Sequence, residues 1–533
     1  MVMTVKEKIA AVFPSMKDIP AEFRLSKPVI QREYLINGEL CRWHGAMQEV
    51  LSPVWIRNAA GLSQKIVGKY PLLTEKESLQ ALNAAVSAYD HGRGLWPTMP
   101  VKERIRHIAD FILQMKKKKK EILLLLMWEI GKSYQGAVRE FNRTVHYVRN
   151  IIAAVKDSER ISSEWIKEKG IIGRILHAPL GVALCMGPFN YPLFETFTTL
   201  IPALIMGNTA IIKFPKLGVL LHSPLLSAFQ TSFPPGVVNT VYGESGDILP
   251  PLLSTGKIDC LAFIGSGTGA DMMKSWHPKP HRLRSVLGLE AKNPAIILPD
   301  ADIDLAVREC IKGSLAFNGQ RCTALKILFV HYRISDIFLR KYVDLLGKVR
   351  FGMPWEKDVL ITPLPEPHKP EYLTGLLKDA LQHGARIINE SGGTVNKTFF
   401  YPALLYPVHA GMRLYNEEQF GPLVPIVPFD DIETPVQYII ESSYGQQVSI
   451  FGNNPELIAG LTDIFLNQVC RININAKCQR GPDSFPFAGR KDSGEGTLSV
   501  SDALRLFSIT TVVTMKEEEK NREILLKKLK KTT

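Results

Sequence analysis

The sequence predicts an α/β protein: a doubly wound parallel-sheet domain, joined to a second α/β unit. Three observations predict it. Short apolar runs at 181–186, 209–214 and 237–242 are each followed by a Gly or Pro breaker and a helix-like segment, the alternation that marks βαβ units. A fourth run, Cys260–Ile264, opens directly into the glycine cluster Gly265-Ser266-Gly267-Thr268-Gly269-Ala270. A second set of runs, at 295–298, 327–330 and 426–429, begins a new α/β unit near Leu289.

The remaining elements follow in order. Residues 1–29 carry charges at Lys6, Glu7, Lys8, Lys17 and Asp18 with no apolar core segment, so they read as an extension and not a secretory signal. An amphipathic helical pattern runs over 78–113 with breaks at Gly92, Gly94, Pro97 and Pro100. Further helical stretches cover 101–132 and 136–155. Within them Ile122 to Trp128 is apolar, but Glu121 and Glu129 close it well short of the roughly 20 residues that span a bilayer. The joints of the second unit are loop-rich, and residues 362–370 hold four prolines. The lysine-rich end, from about Lys516, reads as a solvated helix or a frayed terminus.

Composition narrows the class. A chain of 533 residues is too long for one ordinary core, and 45% hydrophobic with 22% charged residues is typical of soluble folds. The net charge of +13 owes much to Lys116–Lys120 and to the tail after Met515. Neither has interleaved aromatics, so both read as solvated faces and not as a nucleic-acid surface. Seven cysteines without a Cys-x-x-Cys pair or metal-ligand spacing read as reduced thiols of a cytoplasmic protein, with no metal centre.

Two segments carry chemistry. A strand running into glycines and then a helix can place backbone N–H groups around a phosphate, which makes Gly265 and Ser266 candidate cofactor contacts; a plain tight turn is the other reading. In Phe317-Asn318-Gly319-Gln320-Arg321-Cys322-Thr323, small and polar neighbours argue against Cys322 being a core residue. Arg321 beside it is placed to lower the thiol pKa or to bind an anionic substrate.

Four motifs in one order strengthen this: Pro188-Phe189-Asn190-Tyr191-Pro192, Gly319-Gln320-Arg321-Cys322, Glu417-Glu418-Gln419-Phe420-Gly421-Pro422, and Phe485-Pro486-Phe487 with Ser493-Gly494. With them the chain resembles the aldehyde dehydrogenase superfamily, and within it the non-phosphorylating NADP-dependent glyceraldehyde-3-phosphate dehydrogenases. The likeness extends from about Tyr34 to Val513.

The resemblance implies a cysteine nucleophile at Cys322 and an oxyanion site made by the Asn190 amide and the Cys322 backbone N–H. Hydride passes to a nicotinamide, and the resulting thioester is hydrolysed. Lys213 matches a lysine near the adenosine ribose. Lys216 stands where NAD-preferring members carry a carboxylate, which points to NADP, with NAD as the alternative. Glu418 and Phe420 match residues at the nicotinamide ribose. Arg143, Tyr191, Arg321, Thr323 and Arg480 match a phosphosugar site, so the implied substrate is a small phosphorylated aldehyde such as glyceraldehyde 3-phosphate. A semialdehyde or other small polar aldehyde, or a non-catalytic scaffold of the same fold, are the alternatives.

It also implies a domain plan: 30–160 with 177–287 for the dinucleotide, 288–490 for catalysis, and 161–176 with 491–515 as oligomerisation strands between terminal extensions 1–29 and 516–533. A homodimer or homotetramer is expected.

One departure matters. The family pattern Glu-Leu-Gly-Gly-Lys corresponds to Gly288-Leu289-Glu290-Ala291-Lys292, which leaves glycine at the general-base position. Glu290 stands two residues on. In an extended strand it would face the same side, about 7 Å along, and activate the deacylating water.

Overall fold

Val182–Met186 is apolar and buried at every position, which requires a strand covered on both faces. The computed structural model, which describes residues 3–521, places it at the centre of a six-stranded sheet. From residue 522 onward, the expected solvated helix or frayed end lies outside the described residues. The sheet runs Val238–Val241, Thr209–Lys213, Val182–Met186, Cys260–Ile264, Arg284–Gly288 and Gly494–Glu495. The first five are parallel and only the last is antiparallel. In chain order this is third, second, first, fourth, fifth, so the winding reverses between Val182–Met186 and Cys260–Ile264. Open parallel sheets bind ligands at that reversal, beyond the carboxyl ends of the strands.

The second sheet has seven strands, ordered Arg386–Ile387, Ala403–Tyr406, Leu423–Phe429, Ile327–His331, Pro294–Ile297, Gln447–Phe451 and Arg471–Ile474. Only Arg386–Ile387 is antiparallel. The chain crosses from one sheet to the other between Gly288 and Pro294. A third sheet pairs Ser508–Lys516 with Ile171–Pro179 along their whole length and adds Ile166–Glu168. Gly494–Glu495 and the helix Val500–Leu506 belong to the segment expected to form oligomerisation strands; the first lies on the edge of the six-stranded sheet.

The predicted strands all form, with ends shifted by a residue or two. Leu423–Phe429 is three residues longer than its expected run, and within the two segments expected as oligomerisation strands the long strands are Ile171–Pro179 and Ser508–Lys516, which extend past the expected ends at 176 and 515. The 101–132 stretch divides at Lys118 into Val101–Lys117 and Lys119–Ile130. The long hairpin Met47–Asn58 with Gly61–Pro71 was not anticipated. Pro53 speaks against a strand there, and the structure accommodates it where the pairing register slips between Leu51 and Trp55. No helix among the described residues is long and apolar enough to cross a membrane.

Candidate active site

A cavity of about 620 Å³ lies where the two large sheets meet. Residues 188–191, Glu195, 264–266 and 288–290 reach it from the carboxyl ends of the first sheet's strands. Residues 321–323, Glu418, Phe420 and Gln446 reach it from segments that lead into strands of the second. Of the sequence-predicted residues, Arg143, Asn190, Tyr191, Gly265, Ser266, Glu290, Arg321, Cys322, Thr323, Glu418, Phe420 and Arg480 all line it. Lys213 and Lys216 do not. They sit at and just beyond the end of the Thr209–Lys213 strand, which flanks Val182–Met186 on the side away from Cys260–Ile264.

Cys322 is presented by an unusual loop. Phe317, Asn318 and Gly319 have φ of 51°, 57° and 72°, three successive left-handed residues after the helix Ile303–Leu315. Such backbone persists only where its surroundings enforce it. Asn318 exchanges hydrogen bonds with Thr362, Nδ2 donating at 3.2 Å and Oδ1 accepting at 2.8 Å. A Cβ on Gly319 would lie 2.6 Å from the Ser314 carbonyl oxygen. Asn293 Nδ2 then donates to the Cys322 carbonyl at 2.7 Å.

The thiol is not activated as the sequence suggested. Burial pushes it up to about 11; Glu195 and then Glu418 add to the rise, and Arg480 and Lys326 oppose it. Arg321, the neighbour in sequence, is not the cation that acts on it. Its Nη2 reaches the carbonyls of Gly313 and Thr323 at 3.3 and 3.5 Å, and its Nε is buried without a hydrogen-bond partner.

Asn190 is clamped by side chains that the sequence reading missed. Lys132 Nζ donates to the Asn190 carbonyl at 2.6 Å and pairs with Glu140. Glu140 Oε1 accepts from the N–H groups of Leu193 and Phe194 at 3.0 and 3.1 Å. Asn190 Nδ2 donates to the Gln320 carbonyl at 2.9 Å, which ties the amide to the loop carrying Cys322 and leaves its second N–H uncommitted.

The glycine turn begins the helix Gly267–Trp276, capped by Ser266, whose side chain accepts from Gly269 N. A Cβ on Gly267 would meet nothing nearer than Glu290 Oε2 at 3.6 Å, so the floor of the turn is open. The site fits a dinucleotide phosphate: N–H groups at a helix start, beside the reversal point. Glu290 does not lie in a strand. Arg284–Gly288 ends two residues earlier, so the same-face argument does not apply, and Glu290 Oε2 accepts from Gly267 N at 3.0 Å. Outside the cavity, burial and then Lys216 push Lys213 down to about 8, while Lys216 pairs with Glu244.

The carboxylates and cations of the cavity are largely committed to one another. Glu418 pairs with Lys326 at 3.1 Å, and burial drives both toward their neutral forms. Lys326 also sits 4.5 Å from the Phe420 ring centre. Arg143 grips Asp483 with two N–H groups, at 2.6 and 3.2 Å. Arg480 pairs with Glu195. Glu195 was not anticipated, although a lone carboxylate in the otherwise uncharged helix Phe194–Ile205 was a visible sign.

An NADP-dependent glyceraldehyde-3-phosphate dehydrogenase from Streptococcus equinus is 30% identical over 500 residues, spanning 91% of this chain and 98% of that one. Malonate-semialdehyde dehydrogenase 1 from Geobacillus kaustophilus is 25% identical over 458 residues, 84% and 92% of the two chains. The crystal structure of NADP-dependent glyceraldehyde-3-phosphate dehydrogenase from Bacillus halodurans C-125, complexed with NADP, is 29% identical. It superposes with a TM-score of 0.83 over 92% of this chain and all of that one. The aldehyde dehydrogenase family model matches residues 53–513. That span takes in both large sheets, the Cys322 loop and most of the Ser508–Lys516 strand, and the chain belongs to the aldehyde dehydrogenase family.

Proposed function

We propose that the protein oxidises a short aldehyde with an anionic tail, using Cys322 as nucleophile and NADP as hydride acceptor. The observation that carries this reading is the convergence on one cavity of Cys322, the Asn190 amide and the Gly265–Ser266 turn. Glyceraldehyde 3-phosphate, in the names of the Streptococcus and Bacillus relatives, is the reference member of the substrate class.

NADP, when bound, would supply the oxidised nicotinamide that accepts the hydride; Gly265 and Ser266 would hold its phosphates, and Lys213 and Lys216 would hold its 2′-phosphate. The chain supplies the rest. Cys322 gives its proton to solvent water and its sulfur bonds to the aldehyde carbon as the carbonyl π pair moves to oxygen; the free N–H of Asn190 and the Cys322 N–H stabilise the resulting alkoxide. After hydride loss the acyl group remains on sulfur, and Glu290 takes a proton from the water that releases the acid. The seven thiols, none in a disulfide, suit the reducing cytoplasm. Association of copies through the Ile171–Pro179 and Ser508–Lys516 sheet is part of the proposal, since Ile175, Ile509 and Val512 are exposed there.

The test is a substrate panel of glyceraldehyde 3-phosphate, a carboxylate-tailed semialdehyde and glyceraldehyde, each with NADP and with NAD. NADPH formation that vanishes in Cys322→Ala supports the reading; no oxidation of any aldehyde overturns it. Gly288 favours a second reading, a scaffold without turnover. An iodoacetamide-inert Cys322, with or without NADP, would support that instead.

A further inference from the structure

An arginine near a nucleophile attracts an anion most strongly where no carboxylate already matches its charge. Arg480 is already matched. One Nη is held by Glu195, Nη2 donates to the Leu498 carbonyl at 3.3 Å, and the guanidinium lies against the rings of Phe487 and Phe194, at 4.5 and 4.9 Å. Both members of the pair are buried, Arg480 at 6% and Glu195 at 7% exposure, and Thr198 adds a hydroxyl to the same Glu195 oxygen at 3.1 Å. Arg143 is likewise spent on Asp483. The other lining cations also have carboxylates: Lys369 has Glu366 at 3.2 Å and Lys477 has Glu309 at 3.6 Å. Among the described residues that line the cavity, Arg321 is the cation without a carboxylate partner, and its Nε is buried and unpaired.

We infer that Glu195 is a specificity-determining residue: by occupying Arg480 it leaves Arg321 to receive one negative charge, so the site favours aldehydes with a carboxylate tail over those with a phosphate dianion. A carboxylate matches the paired donors of one guanidinium. A dianion needs a second cation and meets the Glu195 charge instead. The inference rests on the reading that Cys322 oxidises an anionic aldehyde, and it narrows the class.

The experiment compares wild type, Glu195→Gln and the double variant Glu195→Gln with Arg480→Gln. Wild type is expected to show a higher kcat/KM for succinic semialdehyde than for glyceraldehyde 3-phosphate. Glu195→Gln should shift that ratio at least tenfold toward the phosphate, mainly through KM, and the double variant should return it to the wild-type value. A shift under threefold, or in the other direction, overturns the inference. A second readout needs no turnover and covers the case in which Glu195→Gln is poorly folded, because the double variant removes both buried charges. Protection of Cys322 from iodoacetamide by inorganic phosphate, relative to acetate, should strengthen at least tenfold in Glu195→Gln and in neither wild type nor the double variant. Should wild type oxidise no aldehyde, the proposed function fails while this protection assay still decides the role of Glu195.

Discussion

Glu290 Oε2 accepts a hydrogen bond from the backbone N–H of Gly267 at 3.0 Å, so a carboxylate of the chain itself occupies the helix start that a dinucleotide phosphate would use. The two anions compete for one donor and repel each other. Glu290→Ala should therefore bind NADP more tightly than wild type, by about two- to fivefold given the 0.3–1 kcal/mol typical of charge at a helix end. Glu290→Gln, which keeps the hydrogen bond without the charge, should fall between. Titration by nicotinamide fluorescence measures this; equal affinities would show that the phosphate does not reach Gly267.

If the displaced Glu290 then serves the thioester, Glu290→Gln should release a burst of NADPH equal to the enzyme concentration and turn over little afterwards. Undiminished steady-state turnover would remove that role. Position 288 offers the complement: a Cβ built there meets Ile264 and Leu498 no closer than 3.4 Å, ordinary contact. Adding Gly288→Glu to Glu290→Gln should restore turnover, and continued burst-only kinetics would show that this position does not supply the base.

With the thiol pushed up to about 11, Cys322 of the free enzyme is protonated at neutral pH. Raising a thiol pKa depletes thiolate below it, so alkylation should be slow at pH 7 and rise about tenfold per pH unit toward 11. Peptide-resolved iodoacetamide kinetics separates Cys322 from the exposed Cys470. A rate already at its plateau at pH 8 would contradict the burial argument.

Asn190→Ala removes the free amide N–H and the tie to Gln320. A loss of about 10²–10³ in kcat is expected, with a small change in KM, as for other oxyanion donors. Glu140→Gln should produce a milder loss of the same kind, since it loosens the clamp on the 190–194 turn without removing the amide. A KM effect dominating in either variant would assign these residues to binding instead.

The strand and helix alternation, the glycine turn and the Cys322 motif were legible because each is written in neighbouring residues: apolar runs bury themselves, and Gly-rich turns have few conformations. Pro53 hid a strand for the opposite reason, since its tolerance depends on a register slip made with a partner strand. The charge pattern of the site was decided only by tertiary structure. Arg480 and Glu195 are 285 positions apart and Arg143 and Asp483 are 340 apart, and nothing local states which acid a given arginine will meet. The same holds for Cys322: its sequence neighbour Arg321 promised a low pKa, but a thiol responds to desolvation and to charges arrayed in space, and the folded chain surrounds it with burial and two carboxylates. The sequence by itself determined what chemistry the chain carries, while folding decided which of its charged groups remain free to take part.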